Sequence, residues 1–95
     1  MTDNFTVNVK HFGEVTFNGV RYALLEAAEL TSRTFPGGWH DAKEGEEYLS
    51  EYAARAINEA GESFKVTWMF TETKGAETDD ASNYDWSNVD RVIPR

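Results

Sequence analysis

The sequence contains no cysteine. That absence excludes disulfide bonds, thiolate zinc sites and cysteine nucleophiles together. It agrees with a reducing compartment, and we expect the protein to be cytoplasmic. The first residues, MTDNFTVNVK, lack the basic start and apolar run of a signal peptide, and no apolar stretch approaches the roughly 20 residues of a membrane span. We therefore expect a soluble protein that makes no use of a membrane.

The sequence also lacks the patterns that carry most enzymatic chemistry. It has no glycine-rich phosphate loop, no Walker pattern and no recognisable Ser/His/Asp set. Its two histidines are distant from each other and make a poor zinc set without cysteine. His40-Asp41 is the most enzyme-like pair, but no nucleophile or third partner accompanies it, and we interpret the pair as part of a loop in which Asp41 caps the following helix. We predict a protein that is not an enzyme and that holds no cofactor or metal.

Basic residues are scarce, and their shortage is uneven along the chain. Nine Lys and Arg residues face 17 Asp and Glu residues, which gives a net charge of −8. Residues 1–40 hold four acids against three bases, whereas residues 41–95 hold thirteen acids against six bases. Such a field repels nucleic acid and speeds encounter with basic surfaces. We expect a protein partner with a basic surface and no direct nucleic-acid binding, with solubility as the alternative role of the acidity.

Three stretches of the single domain, residues 1–95, are typical of β-strands. Apolar residues alternate from Phe5 to Phe17, with a bend expected at Gly13, and Asn18-Gly19 then predicts a type I′ hairpin turn. In that hairpin Phe17 pairs with Val20. Residues 63–73 alternate again and predict a central strand with Trp68 buried on its apolar face. Residues 89–93 predict an edge strand antiparallel to the central one, ended by Pro94.

Two other stretches show helical spacing. From Asp41 to Gly61 the apolar residues recur at steps of one, three and four, which predicts a long amphipathic helix over about 41–60. Residues 24–32 predict a short helix, with extension of the preceding strand through Leu24 as the competing interpretation. The predicted fold is α+β: an antiparallel sheet of three to five strands with the long helix packed on one face.

Acidic and aromatic residues outside the predicted core are the candidate partner-binding residues. Carboxylates on the outer side of the predicted helix and in the acidic loop after it present negative charge, and aromatic residues in loops beside carboxylates are typical of binding hot spots. The alternative for the carboxylates is a solvated helix face without a binding role. The alternative for the aromatic residues is packing beneath the sheet, at the border of the core. The candidates are Trp39, Glu44, Glu47, Glu51, Glu77, Asp79, Asp80, Tyr84, Asp85 and Trp86.

Two stretches, DAKEGEEYLSE and ETDDASNYDW, combine with small size, acidity and lack of cysteine. In this overall character the chain resembles the small acidic inhibitors encoded by phages and mobile elements, anti-CRISPR proteins among them. The resemblance implies direct binding to a nucleic-acid-processing enzyme or complex, with carboxylates standing in for phosphates as in a DNA mimic. It transfers no site residue. An immunity protein or antitoxin that neutralises a basic toxin is the alternative, and a small phage structural component is a more distant one.

Overall fold

The computed structural model describes residues 12–77 and 84–95, and these form one antiparallel sheet. The strands are β1 (Glu14–Phe17), β2 (Val20–Leu24), β3 (Glu29–Leu30), β4 (Glu47–Asn58), β5 (Ser63–Thr73) and β6 (Arg91–Pro94). Their order is β1-β2-β4-β5-β6, with β3 also paired to β4. Because β5 pairs with β4 from Glu47 to Ile57, β2 and β3 share the opposite edge of β4. The described residues contain six strands, a single 3-10 turn (Trp39–Asp41) and no α-helix.

The predicted α+β class is therefore wrong, chiefly because the long helix over 41–60 does not form. Tyr48, Tyr52 and Ala56 lie four residues apart, and that spacing fits one face of a helix and one face of a strand equally well. The same holds on the other face of β4 for Leu49, Ala53 and Ile57. A strand with apolar residues on both faces thus reproduces a helical stripe, and the ladder with β5 selects the strand.

The short helix predicted near 24–32 is also wrong. Leu24 is the last residue of β2, as the competing interpretation had it, and the chain then reaches β3 through residues 25–28. The backbone N–H groups of Leu25 and Thr31 donate to the carbonyls of Arg55 and Glu51 at 2.8 and 2.9 Å. In a helix these N–H groups would donate to carbonyls four residues earlier in the chain. Here they donate to carbonyls of β4, so the segment lies along the edge of the sheet.

The predicted hairpin is confirmed in both register and turn geometry. Phe17 pairs with Val20 and Val15 with Tyr22. Asn18 and Gly19 have φ angles of 52° and 79°, the left-handed values that a type I′ turn requires. The chain begins β1 directly after Gly13, at the predicted bend, whereas the alternating residues before Phe12 lie outside the described part of the chain.

The strand predicted over residues 63–73 is confirmed, and an edge strand does pair antiparallel to it, although that strand spans Arg91–Pro94 and includes the proline instead of ending before it. β5 spans Ser63–Thr73, and β6 pairs antiparallel to it, with Val66 opposite Val92 and Phe64 opposite Pro94. Trp68 is fully buried, as predicted. Its cover is not a helix, however: the Trp68 indole packs against Trp86, and its Nε1 donates to the Trp86 carbonyl at 2.8 Å.

One face of the sheet, here called the core face, carries the main apolar cluster. It contains Val15, Tyr22, Leu24, Ala54, Ala56, Val66 and Trp68. The opposite face carries Ala23 and Ile57 in a smaller cluster and several charged residues of β4 and β5. The molecule is elongated, 48 × 24 × 21 Å, because β4 and β5 run along most of its length. No helix in the described ranges is long and apolar enough to span a membrane.

Candidate partner-binding site

The start of β4 and the end of β5 bring two turns together at one end of the molecule. Gly45 N–H donates to the Lys74 carbonyl, and Lys74 N–H donates to the Glu46 carbonyl, both at 2.9 Å. These bonds extend the β4–β5 ladder beyond Glu47 and Thr73 and fix residues 43–46 beside residues 74–77. We call the exposed carboxylates gathered there the acidic end. They are Asp41, Glu44, Glu46, Glu47 and Glu77.

A groove of about 340 Å³ opens at the acidic end. Three of its lining residues are acids, Asp41, Glu46 and Glu47, and the remainder of its wall is Gly37, Gly38 and Ala42. Asp41 Oδ2 accepts the Gly37 N–H at 3.0 Å, and Glu46 Oε1 accepts the Lys43 N–H at 2.7 Å, so backbone donors hold two of the carboxylates in place. Glycine and alanine walls leave room beside these carboxylates for a cationic side chain.

Trp39 stands at the border of the acidic end with about half of its surface exposed (49%). The Lys74 ammonium lies 3.8 Å from the centre of the Trp39 ring, which is a cation–π distance. Lys74 Nζ also donates to the carbonyls of Trp39 and Ala42, at 3.2 and 2.9 Å. Lys74 therefore stabilises the turn through these contacts. It also holds the Trp39 indole in a position where about half of its surface is exposed.

Glu77 is tied to β4 through a buried tyrosine. Tyr48 Oη donates to Glu77 Oε2 at 2.8 Å, and Gly75 N–H donates to Glu77 Oε1 at 3.0 Å. The bond from Tyr48 lowers the pKa of the Glu77 carboxyl. Burial, and then the bond to Glu77, raise the pKa of Tyr48 to about 12. Glu77 is consequently ionised and Tyr48 neutral across the physiological pH range.

A second cleft, of about 320 Å³, lies between the segment 30–40 and the edge of β4. Trp39, His40, Tyr48 and Ser50 line it, together with Glu51. His40 packs edge-on against Trp39, while the Asp41 carboxylate bonds to the Gly37 backbone. His40 therefore packs against an aromatic ring and Asp41 fixes a backbone turn, so the two residues have separate structural roles.

Glu51 departs most from its predicted position. It is only 2% exposed, so the expectation that it faces solvent on the back of a helix is wrong. Its two carboxylate oxygens accept from Arg33 at 2.9 and 2.6 Å, and Oε1 also accepts from Thr31 at 2.9 Å. Arg91 approaches Oε2 to 3.6 Å. Glu51 joins the segment after β3 to the sheet and is not available to a partner.

Tyr84 and Trp86 pack on the core face, and Asp85 lies between them in the chain. Tyr84 stacks on Phe70 at 4.3 Å between ring centres, and Trp86 packs against Trp68, Phe70 and Tyr52. Asp85 Oδ1 accepts from the backbone N–H and the hydroxyl of Ser87, which forms a turn. These contacts are the packing beneath the sheet that the sequence offered as the alternative. Asp79 and Asp80 lie outside the described residues.

The structure thus unites Trp39, Glu44, Glu47 and Glu77 and separates them from the other described candidates. It adds Asp41 and Glu46, which belong to the acidic stretch singled out in the sequence but were not named as individual candidates. Their only sequence signal was the density of acids in DAKEGEE. Among the described residues, no group of three or more His, Asp or Glu side chains is arranged to hold a metal ion.

Comparison of the chain with protein-family models, with curated proteins and with solved structures found no match.

Proposed function

We propose that this protein is a non-catalytic binder of basic macromolecules, and that the acidic end is its contact surface. The observation that carries the proposal is the groove lined by Asp41, Glu46 and Glu47, with the half-exposed Trp39 nearby. A groove of this kind accommodates a lysine or arginine side chain, which would gain charge-assisted hydrogen bonds there. An exposed tryptophan adds apolar contact area next to the charged one, the combination common in binding hot spots.

We further propose that binding inhibits the partner. A basic surface on a nucleic-acid-processing enzyme or complex is the surface that attracts phosphates, and carboxylates placed on it would exclude them. The charge imbalance of the chain supports this class of partner, because residues 41–95 hold most of the net charge of −8. The resemblance in character to anti-CRISPR proteins supports the same class.

The test begins by identifying the partner and then perturbs the acidic end. The wild-type protein is used to capture partners from a host lysate at low ionic strength, and the affinity for each captured protein is measured over a range of salt concentrations. The double variant Glu44→Lys/Glu47→Lys reverses two exposed charges of the acidic end. Each exposed charge contact is worth up to about 1 kcal/mol, so the loss of two contacts should lower the affinity by about tenfold to thirtyfold.

The matched control is Glu59→Lys/Glu62→Lys, which makes the same charge change at the opposite end of the β4–β5 hairpin. The two pairs are separated by the length of β4, about 36 Å at 3.3 Å per residue. We expect the control to alter long-range attraction slightly and to keep most of the affinity. Equal losses in both double variants would show that net charge, rather than the acidic end, governs binding, and no loss in either would refute the proposal.

Activity of the captured partner then separates binding from inhibition. A nucleic-acid-processing partner that loses activity with wild type and retains it with Glu44→Lys/Glu47→Lys supports the complete proposal. If the captured partner is instead a toxin that wild type neutralises and Glu44→Lys/Glu47→Lys does not, the acidic end is still the contact surface, but the partner is a toxin and not a nucleic-acid-processing enzyme. A partner that remains fully active when saturated contradicts inhibition.

A further inference from the structure

A group of basic residues lies on the face of the sheet opposite the core face. Arg55 of β4 and Lys65 of β5 are paired directly across the ladder. Directly opposite residues on one face have Cβ atoms roughly 4.5–5.5 Å apart, and like charges at such positions destabilise a sheet. The Arg55–Lys65 pairing therefore lowers the stability of the sheet at this point, although the chain contains only nine Lys and Arg residues.

A third base joins this pair from β6. Arg95 N–H donates to the Ser63 carbonyl at 3.1 Å, which places Arg95 beside the residue two positions before Lys65 on β5. Arg55, Lys65 and Arg95 line a common groove of about 400 Å³, together with Glu26, Ala53 and Ala54. The side chain of Ala53 is small, which leaves space beside the long basic side chains of the groove.

Within the described residues, Arg55 is the only one of these bases with a carboxylate at hydrogen-bond distance, whereas Glu26 attracts Arg95 and Glu51 attracts Lys65 at longer range. Glu26 Oε1 accepts from Arg55 Nε at 3.2 Å, and Glu26 Oε2 accepts from the Arg55 N–H at 2.8 Å. Glu26 therefore anchors the Arg55 guanidinium through Nε, and no described group hydrogen-bonds its two terminal nitrogens. Neither Lys65 nor Arg95 forms an ion pair within the described ranges, and Glu51, the buried acid on the same face, is engaged by Arg33.

We propose that this groove binds the phosphate group of a small anionic ligand, at a site separate from the acidic end. The Arg55 fork matches two oxygens of a phosphate, and Lys65 and Arg95 supply point charge from the other side. A bound dianion also removes the repulsion between Arg55 and Lys65. Glu26 is the orienting residue, because it holds Nε and leaves the terminal nitrogens to the ligand.

The test is an NMR titration of the ¹⁵N-labelled protein with inorganic phosphate, at ionic strength held constant with chloride. We expect saturable shifts of the backbone amides of Ala53, Arg55 and Lys65. Lys65→Gln should weaken the affinity by about fivefold, the equivalent of one charge contact. Lys43→Gln removes a base at the acidic end instead and should leave the affinity unchanged.

Arg95→Gln is the second variant, and it should weaken binding as Lys65→Gln does even if the latter disturbs the sheet. A parallel titration with adenosine monophosphate distinguishes the source of the phosphate. Tighter binding than inorganic phosphate indicates a phosphate monoester, and equal or weaker binding indicates the free anion. Shifts that do not saturate, shifts centred elsewhere, or equal affinity in Lys65→Gln, Arg95→Gln and wild type would overturn the proposal.

Discussion

Glu51 shows how a single residue joins two parts of this chain. Its carboxylate is buried, accepts from Arg33 and Thr31, and so holds the segment after β3 against β4. A buried carboxylate is tolerated only when its oxygens are bonded, since the desolvation of an unpaired charge costs several kcal/mol. The Arg33 end of the pair is half exposed, so the interaction remains partly hydrated.

We expect Glu51→Gln to lower the free energy of unfolding at neutral pH by about 1–3 kcal/mol, because hydrogen bonds to a charged group are replaced by weaker ones. The bond from Arg33 lowers the pKa of Glu51 below its ordinary 4.5, although burial opposes this. The stabilisation is therefore present above the unfolded-state pKa and is lost as the pH falls through the folded-state pKa. Urea unfolding at several pH values should show the difference from wild type shrinking below about pH 4.5.

The control for this experiment is Glu29→Gln, which neutralises an exposed acid on β3. It should change the unfolding free energy by at most about 0.5 kcal/mol. Equal stability of Glu51→Gln and wild type at neutral pH would mean that the buried pair contributes nothing to folding.

Trp68 is the fully buried tryptophan of the core face. Trp68→Ala should cost about 3–5 kcal/mol, because it removes the largest fully buried side chain of the core face. Trp68→Phe keeps most of the volume but leaves the Trp86 carbonyl without its donor, so a loss of about 1–3 kcal/mol is expected. Chemical denaturation measures both. A Trp68→Ala protein that unfolds at the same denaturant concentration as wild type would contradict the core assignment.

Among the elements, the β1–β2 hairpin depends on its turn. Gly19 has a φ of 79°, and no atom lies within 4 Å of the position of an added Cβ, so backbone conformation is the only obstacle to substitution. We expect Gly19→Val to destabilise the protein by roughly 1 kcal/mol or more in a thermal melt. Asn18→Gly tolerates the same positive φ and should be close to wild type. An unchanged melting temperature for Gly19→Val would contradict the assignment of a type I′ turn.

The element β4 depends on its neighbours rather than on its own sequence. We expect a peptide of residues 41–61 to be unstructured in water and helical in trifluoroethanol, since its local pattern permits a helix but a short isolated helix is marginal. The whole protein should give a β-type far-ultraviolet circular dichroism spectrum. A strong helical double minimum from the whole protein would contradict β4 as a strand.

For the molecule as a whole, the dominant electrostatic feature is self-repulsion. The net charge is −8, and five exposed carboxylates meet at one end of a particle 48 Å long. Glu47→Lys should therefore raise the melting temperature at low ionic strength by about 1–3 °C, and salt should remove the difference. A melting temperature that is lower than that of wild type at low salt would show that Glu47 makes a stabilising contact instead.

The sequence by itself determined the features that depend on neighbouring residues. The Asn18-Gly19 turn and the alternation of residues 63–73 each have a single local solution, and each forms as predicted. The apolar run before Pro94 also forms an edge strand, although its bounds are Arg91–Pro94 rather than 89–93. The burial of Trp68 followed from its place in that alternation. The shortage of bases after residue 40 was also visible without a structure.

Only the tertiary structure decided the features that depend on distant residues. A spacing of four residues satisfies a helix and a strand alike, so β4 became a strand because β5 offers eleven paired positions along it. That ladder buries Glu51, where Arg33 reaches it from a separate segment. It also brings residues 43–46 to residues 74–77 and so creates the acidic end. Backbone hydrogen bonds between strands join residues far apart in the chain, and no local pattern records which partner a strand will have.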